Sequence, residues 1–235
     1  EEVLAGTIKH GKYVKVTTWL ADDSILATAA ADGSVQIHKI TLGMEPGDTK
    51  VEKLQSLQLS GPVEAMCFVR KQLCCYARDT PHLSFFNMEE EYAQTKLNLN
   101  KGVNGSANFD EHVSYCVMDM SVSPKDDKYL ALATDTSRNI ILEWETGRQV
   151  RNLYGHNNDG YSNPKLAWSC NGQYLIGNTQ EASSACVWDI ASSSIENRLA
   201  GHTNLVRDIY SSPSTDTLVT TSFDKQTKIW MSPAP

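Results

Sequence analysis

Short runs of β-branched and aromatic residues recur along the chain with Gly, Asp, Asn, Ser or Pro between them, and no stretch sustains the apolar spacing of an amphipathic helix. The pattern predicts an all-β chain. Its last third contains the clearest internal copy. Leu153-Tyr154-Gly155-His156 leads to Ala167-Trp168-Ser169, then to 173–179, then to Ala185-Cys186-Val187-Trp188-Asp189. Leu199-Ala200-Gly201-His202 leads to Ile209-Tyr210-Ser211, then to 217–222, then to Thr227-Lys228-Ile229-Trp230. The Gly-His pairs stand 46 residues apart and the tryptophans 42.

A fixed period of roughly 40–50 residues marks architectures in which each unit buries its apolar faces only against its neighbours. Trp144, 44 residues before Trp188, and Leu83-Ser84-Phe85-Phe86 read as the ends of earlier units, and Ser34-Val35-Gln36-Ile37 as the same strand of a first one. Five units follow, over about 7–50, 51–91, 92–147, 148–193 and 194–235. Each holds three strands and is preceded by a fourth, at about 2–6, 51–59, 92–99, 149–154 and 194–200. Leu4-Ala5-Gly6 repeats Leu199-Ala200-Gly201, so residues 1–6 are expected to complete the last blade.

Gly-His, a strand, a strand ending before Asp, then a strand ending in Trp or Trp-Asp: this order resembles the WD-repeat β-propeller family, most closely over 115–231. The resemblance implies a single propeller domain over 1–235 built of four-stranded antiparallel blades. Five blades are countable, either as the whole ring or as part of a larger, seven-bladed one whose other blades are missing from the chain or supplied by a partner. It also implies a hydrogen-bonded tetrad of His202, Asp224, Ser222 or Thr220, and Trp230, with Ser222 taken as its hydroxyl. Other units match less fully: His156 with Glu181 near the Asp position, Asp135 and Thr134 with His112 as a loose counterpart, and Asp32 and Asp79 in the turn position of two units that lack Gly-His. The family's usual partner-facing surface would fall on the residues just before the turn aspartates, Ala31, Arg78, Thr134, Gln180 and Phe223. Arg78 and Phe223 are the strongest candidates there, because Arg and aromatic side chains combine area with directed contacts.

Composition narrows the chemistry. The 235 residues carry 28 acidic and 21 basic groups, a net charge of −7, and the lysines and arginines are scattered. Nucleic acid is therefore not expected as a principal ligand. No apolar run reaches the ~18 residues of a membrane helix, so membrane insertion is not expected. The chain begins Glu1-Glu2, which fits a processed product or a piece of a longer protein. Its six cysteines show no Cys-x-x-Cys pair and sit mostly in apolar runs, predicting buried free thiols and an intracellular protein, cytoplasmic or nuclear. The histidines are spread about one per unit, so no metal or other cofactor is expected.

Ser222, His202 and Asp224 have the composition of a hydrolase triad, but no Gly-x-Ser-x-Gly and no phosphate-binding Gly-x-x-x-x-Gly-Lys-Ser/Thr occurs. Two polar insertions, 100–111 and 157–163, leave the same edge of their blades, and Tyr161 in the second is a candidate interface anchor. The expected function is a non-catalytic scaffold that binds other proteins in an intracellular complex. The alternatives are a propeller enzyme or small-ligand binder using the central channel, which would need clustered carboxylates with raised pKa, and recognition of phosphorylated or ubiquitin-like partners, which would need a basic patch.

Overall fold

The computed structural model describes residues 6–20, 24–43, 48–100, 115–159, 163–181 and 183–231. Among them, nineteen strands form five antiparallel sheets in which sequence neighbours pair in order. The first blade is β1 (Val14–Trp19), β2 (Ile25–Ala30), β3 (Ser34–Thr41) and β4 (Lys50–Gln58). The second is β5 (Val63–Val69), β6 (Gln72–Ala77), β7 (His82–Asn87) and β8 (Ala93–Asn98). The third is β9 (Val117–Val122), β10 (Tyr129–Thr134), β11 (Asn139–Glu143) and β12 (Arg148–Leu153). The fourth is β13 (Leu166–Trp168), β14 (Tyr174–Asn178), β15 (Ala185–Asp189) and β16 (Ile195–Leu199). The fifth has three strands among the described residues, β17 (Val206–Ser211), β18 (Thr217–Ser222) and β19 (Thr227–Met231). Residues 1–5, expected to complete it, lie outside the described residues.

The fold class is all-β, with five blades of β-propeller type. Residue contacts gather into two compact units, Glu1–Val113 with the first two blades and Ser114–Pro235 with the other three. The second strands β2, β6, β10 and β14 are buried over most of their length. Leu130, Ala131, Leu132 and Ala133 of β10 are all fully buried in a row, where a one-sided sheet would alternate. The fourth strands are far more exposed, and β4 alternates exposed and half-buried positions over most of its length.

In the first unit, Ala27, Ala29, Val35 and Ile37 of the first blade pack with Val63, Met66, Leu73 and Phe86 of the second. In the second unit, Leu153, Leu166, Trp168 and Trp188 fill one seam, and Ala167, Ile176, Val206 and Ile209 the next. Each fully buried aliphatic side chain contributes about 1.5–3 kcal/mol relative to exposure. All six cysteines are free; Cys67, Cys74, Cys75 and Cys186 are buried, and burial pushes the Cys74 and Cys75 thiols well up.

One irregularity repeats. Val14 pairs with Ala30 and Val16 with Ala29, leaving Lys15 as an extra residue. The same bulge leaves out Glu64 after Val63, Met118 after Val117 and Arg207 after Val206. A bulge bends the strand and re-aims the extra side chain.

Candidate functional site

In the second and fifth blades the bulge residue meets the turn that joins the second and third strands. Backbone bonds hold that turn the same way in four blades: Ala31 N–H donates to Tyr13 O (3.1 Å), Arg78 to Pro62 O (2.8 Å), Asp135 to Cys116 O (3.0 Å) and Phe223 to Leu205 O (3.1 Å). These residues therefore share one position. In the third blade it is Asp135, where sequence spacing put Thr134, because Ala133 pairs with Asn139 and the turn begins one residue later. Gln180 follows the fourth blade's β14 and donates its N–H to Asn157 O (3.0 Å). Tyr161 lies outside the described residues, as do 101–114, which hold most of the first polar insertion and His112.

What each bulge offers its turn differs. In the second blade, Glu64 Oε1 accepts from Arg78 Nε at 2.8 Å, and Lys15 of the first blade also ion-pairs with Glu64, whose side chain is 2% exposed. A carboxylate this buried needs partners of opposite charge, and two cations supply them. In the fifth blade, the Arg207 guanidinium lies over the Phe223 ring, 4.7 Å from its centroid. Phe223 is 55% exposed. The Arg78 charge is thus partly spent within the fold, whereas the Arg207–Phe223 pair faces outward with a cation–π contact holding its geometry.

Behind the turn of the fifth blade lies the tetrad. The His202 Nδ1–H donates to Asp224 Oδ2 at 2.8 Å, Thr220 Oγ1 lies 2.8 Å from Nε2, and Trp230 Nε1–H donates to Thr220 Oγ1 at 2.9 Å. With the threonine oxygen accepting from Trp230, its own proton goes to Nε2, which fixes the imidazole tautomer. Burial pushes the Asp224 carboxyl up, but the Thr203 and Gln226 backbone N–H groups and the His202 ring outweigh it and hold it down at about 2. The hydroxyl is Thr220 and not Ser222. Ser222 ends its strand, donates to Asn204 O (2.8 Å) and accepts from Asp224 N–H (3.1 Å), so it closes the turn, while Thr220 sits one pleat deeper, level with the indole.

The other blades show what each member contributes. In the first, Ser34 Oγ accepts from His10 Nδ1–H (2.7 Å) and itself donates to Asp32 Oδ1 (2.6 Å), and Thr28 Oγ1 meets Nε2 (2.8 Å). His10 precedes Thr28 by 18 residues, as His202 precedes Thr220. Sequence reading missed it because the dipeptide is His10-Gly11, inverted; the spacing was the available signal. In the fourth blade, Gly177 stands where Thr220 stands, since Leu175 opposes Trp188 as Leu218 opposes Trp230. Trp188 N–H donates instead to Tyr154 O (2.8 Å). Both ring nitrogens of His156 are buried without a hydrogen-bond partner among the described residues, and the ring stands edge-on to Trp188. Burial, helped by the Arg198 charge, lowers its pKa to about 4. Glu181 lies 3.7 Å from Arg198.

In the second and third blades Cys75 and Leu132 take the hydroxyl position, and Phe86 and Leu142 that of the Trp. Trp144, a landmark of the repeat in the sequence, lies past its strand and donates to Asp127 O (2.7 Å).

Asp224, His202 and Thr220 are linked like a proton relay, but Thr220 is 1% exposed, so a substrate cannot reach its oxygen. Ser222 makes its bonds to backbone. The inner-strand carboxyl of Asp119 is raised by burial despite Lys165. It accepts from Leu166 N–H (2.9 Å) and lies 3.5 Å from Lys165 Nζ, which ties β9 to β13. No group of three His, Cys, Asp or Glu among the described residues is placed to hold a metal ion. No helix among them is long and apolar enough to cross a membrane.

Repeated antiparallel meanders, the fifth carrying a complete His–Asp–Thr–Trp tetrad, define a protein of β-propeller fold. Residues 193–231 match the family described as WD domain, G-beta repeat, so the fifth blade is a repeat of that kind within a β-propeller fold. Among curated proteins, none matches the chain.

Proposed function

We propose that the chain is a non-catalytic scaffold that binds other proteins, within an intracellular complex, through the turn surface displayed by its bulges. The observation that carries this reading is the Arg207–Phe223 pair: a large exposed aromatic ring, held in place by a guanidinium on a rigid turn. Such anchors dominate protein interfaces because they bury much area at small conformational cost. The WD40 repeat supports it, since that family consists mostly of non-catalytic interaction domains. Arg78 and Gln180 occupy the corresponding position of other blades and complete the candidate surface; Tyr161 remains its candidate from the neighbouring insertion.

The test is quantitative affinity capture with the intact chain against Phe223→Ala and Arg78→Ala, each checked for an unchanged melting temperature. A defined set of partners should be retained by the wild type and lost from Phe223→Ala. Partners retained equally by both variants would overturn the assignment of this surface, and the absence of any saturable partner would overturn the scaffold itself.

A further inference from the structure

A cleft of about 400 Å³ lies in the first unit, between the end of β4 and the β7–β8 hairpin of the second blade. Alternation puts His82 and Ser84 on one face of β7, and Lys96 of β8 stands directly opposite Ser84. Gln94 donates its Nε2–H to Ser84 Oγ at 3.1 Å. The serine oxygen is thereby already an acceptor, and its own proton is left to give. Two other polar groups at the cleft serve the fold: Thr80 donates to Ala77 O (2.7 Å), and Gln58 donates to Asp32 O (2.8 Å).

The remaining side-chain groups are the Lys96 ammonium, the Ser84 hydroxyl and the His82 ring, with the Ser60 hydroxyl just past the end of β4. No carboxylate lines the cleft, in a chain whose acidic groups outnumber its basic ones by 28 to 21. Burial lowers the His82 pKa and the Lys96 charge lowers it further, so at neutral pH the ring is an uncharged N–H donor and Lys96 is the one cation lining the cleft. An anion beside Lys96 would pair with a charge that no carboxylate lining the cleft meets, and three donors from two strands suit a group with several acceptor oxygens better than a single carbonyl. The volume exceeds what a lone oxyanion occupies and leaves room for what carries it.

We infer that this cleft binds a phosphoryl group, with Lys96, Ser84 and His82 as its donors. It uses none of the residues of the turn surface, so either assignment can fail without the other. The shared chemistry has two sources, free phosphate and a phosphorylated side chain of a partner. Calorimetric titration of the full chain with inorganic phosphate, with a phosphoserine peptide and with the same peptide unphosphorylated separates them. Binding of the first two but not the third is expected, weakened about tenfold or more by Lys96→Glu and severalfold by Ser84→Ala. Lys71→Glu, which changes charge equally at the exposed Glu89 pair outside the cleft, should leave it unchanged. A peptide that binds more tightly than phosphate assigns a phosphorylated partner; equal affinities assign free phosphate. No saturable binding of either, or binding indifferent to both Lys96→Glu and Ser84→Ala in folded protein, overturns the site.

Discussion

In the sequence the fourth and fifth blades are near copies, each with Leu-x-Gly-His, three strands and a closing Trp; in the structure they hold the same histidine by opposite means. His202 is bonded at both ring nitrogens, while His156 is bonded at neither among the described residues. Two positions differ: Thr220 and Asp224 in one blade, Gly177 and Glu181 in the other. Without the hydroxyl the indole has no acceptor in the blade's centre and turns to Tyr154 O, and the imidazole is left packed against its edge. The lesson is that the hydroxyl organises the tetrad, since it alone touches both rings.

Acid should break the fourth blade first and by the largest amount. The folded pKa of His156, about 4, lies below its ordinary value of 6.5, so the unfolded chain binds the proton more readily. Its contribution is fully present above pH 6.5 and is lost as the pH falls toward 4, by up to about 3 kcal/mol. Denaturant titrations across that window should show the loss, and His156→Phe should flatten it. A slope unchanged by this substitution would remove His156 as the cause. The fifth blade responds lower: the depressed carboxyl of Asp224 stabilises above its ordinary range near 4, and that stability is lost as the pH falls through about 2.

Removing the central hydroxyl sharpens the contrast next. Thr220→Val keeps the shape but leaves His202 Nε2 and Trp230 Nε1 without their bonds, at a cost of about 2–3 kcal/mol. Ser222→Ala, which loses only turn contacts, should cost less than about 1 kcal/mol. Equal losses in urea unfolding would mean that the two hydroxyls had been assigned wrongly.

Trying to convert the fourth blade into the fifth gives the smallest effect. A Cβ at Gly177 would stand 2.9 Å from Leu166 Cδ2 and 3.1 Å from Trp188 Cζ3, space the indole now fills. Gly177→Thr is expected to be destabilising by about 1–2 kcal/mol although it restores the family's hydroxyl. A gain in melting temperature would show that the seam repacks freely.

Much of this was legible beforehand. Five units follow from short β-branched and aromatic runs between turn residues, because strands of this length need such runs to fill the seams between sheets. The choice between Ser222 and Thr220 was not legible, since residues two apart share a face and only depth separates them. Trp144 misled for a related reason: Ile140-Ile141-Leu142 already fills the strand, and the indole falls beyond it. The Lys96 cleft was invisible because its residues come from separate strands, and their convergence depends on register.

The bulges carry one more implication. In four blades the residue before the bulge is valine, Val14, Val63, Val117 and Val206, while the extra residue is Lys15, Glu64, Met118 or Arg207. Freed from the inward–outward rhythm of the strand, that residue is a cation in two of the four blades, an anion in one and a thioether in another, all on the same frame. Where the extra residue is exposed, as Arg207 is, one substitution changes what the blade shows to its surroundings; where it is buried and paired, as Glu64 is, the same substitution also breaks its ion pairs to Lys15 of the first blade and Arg78 of the second.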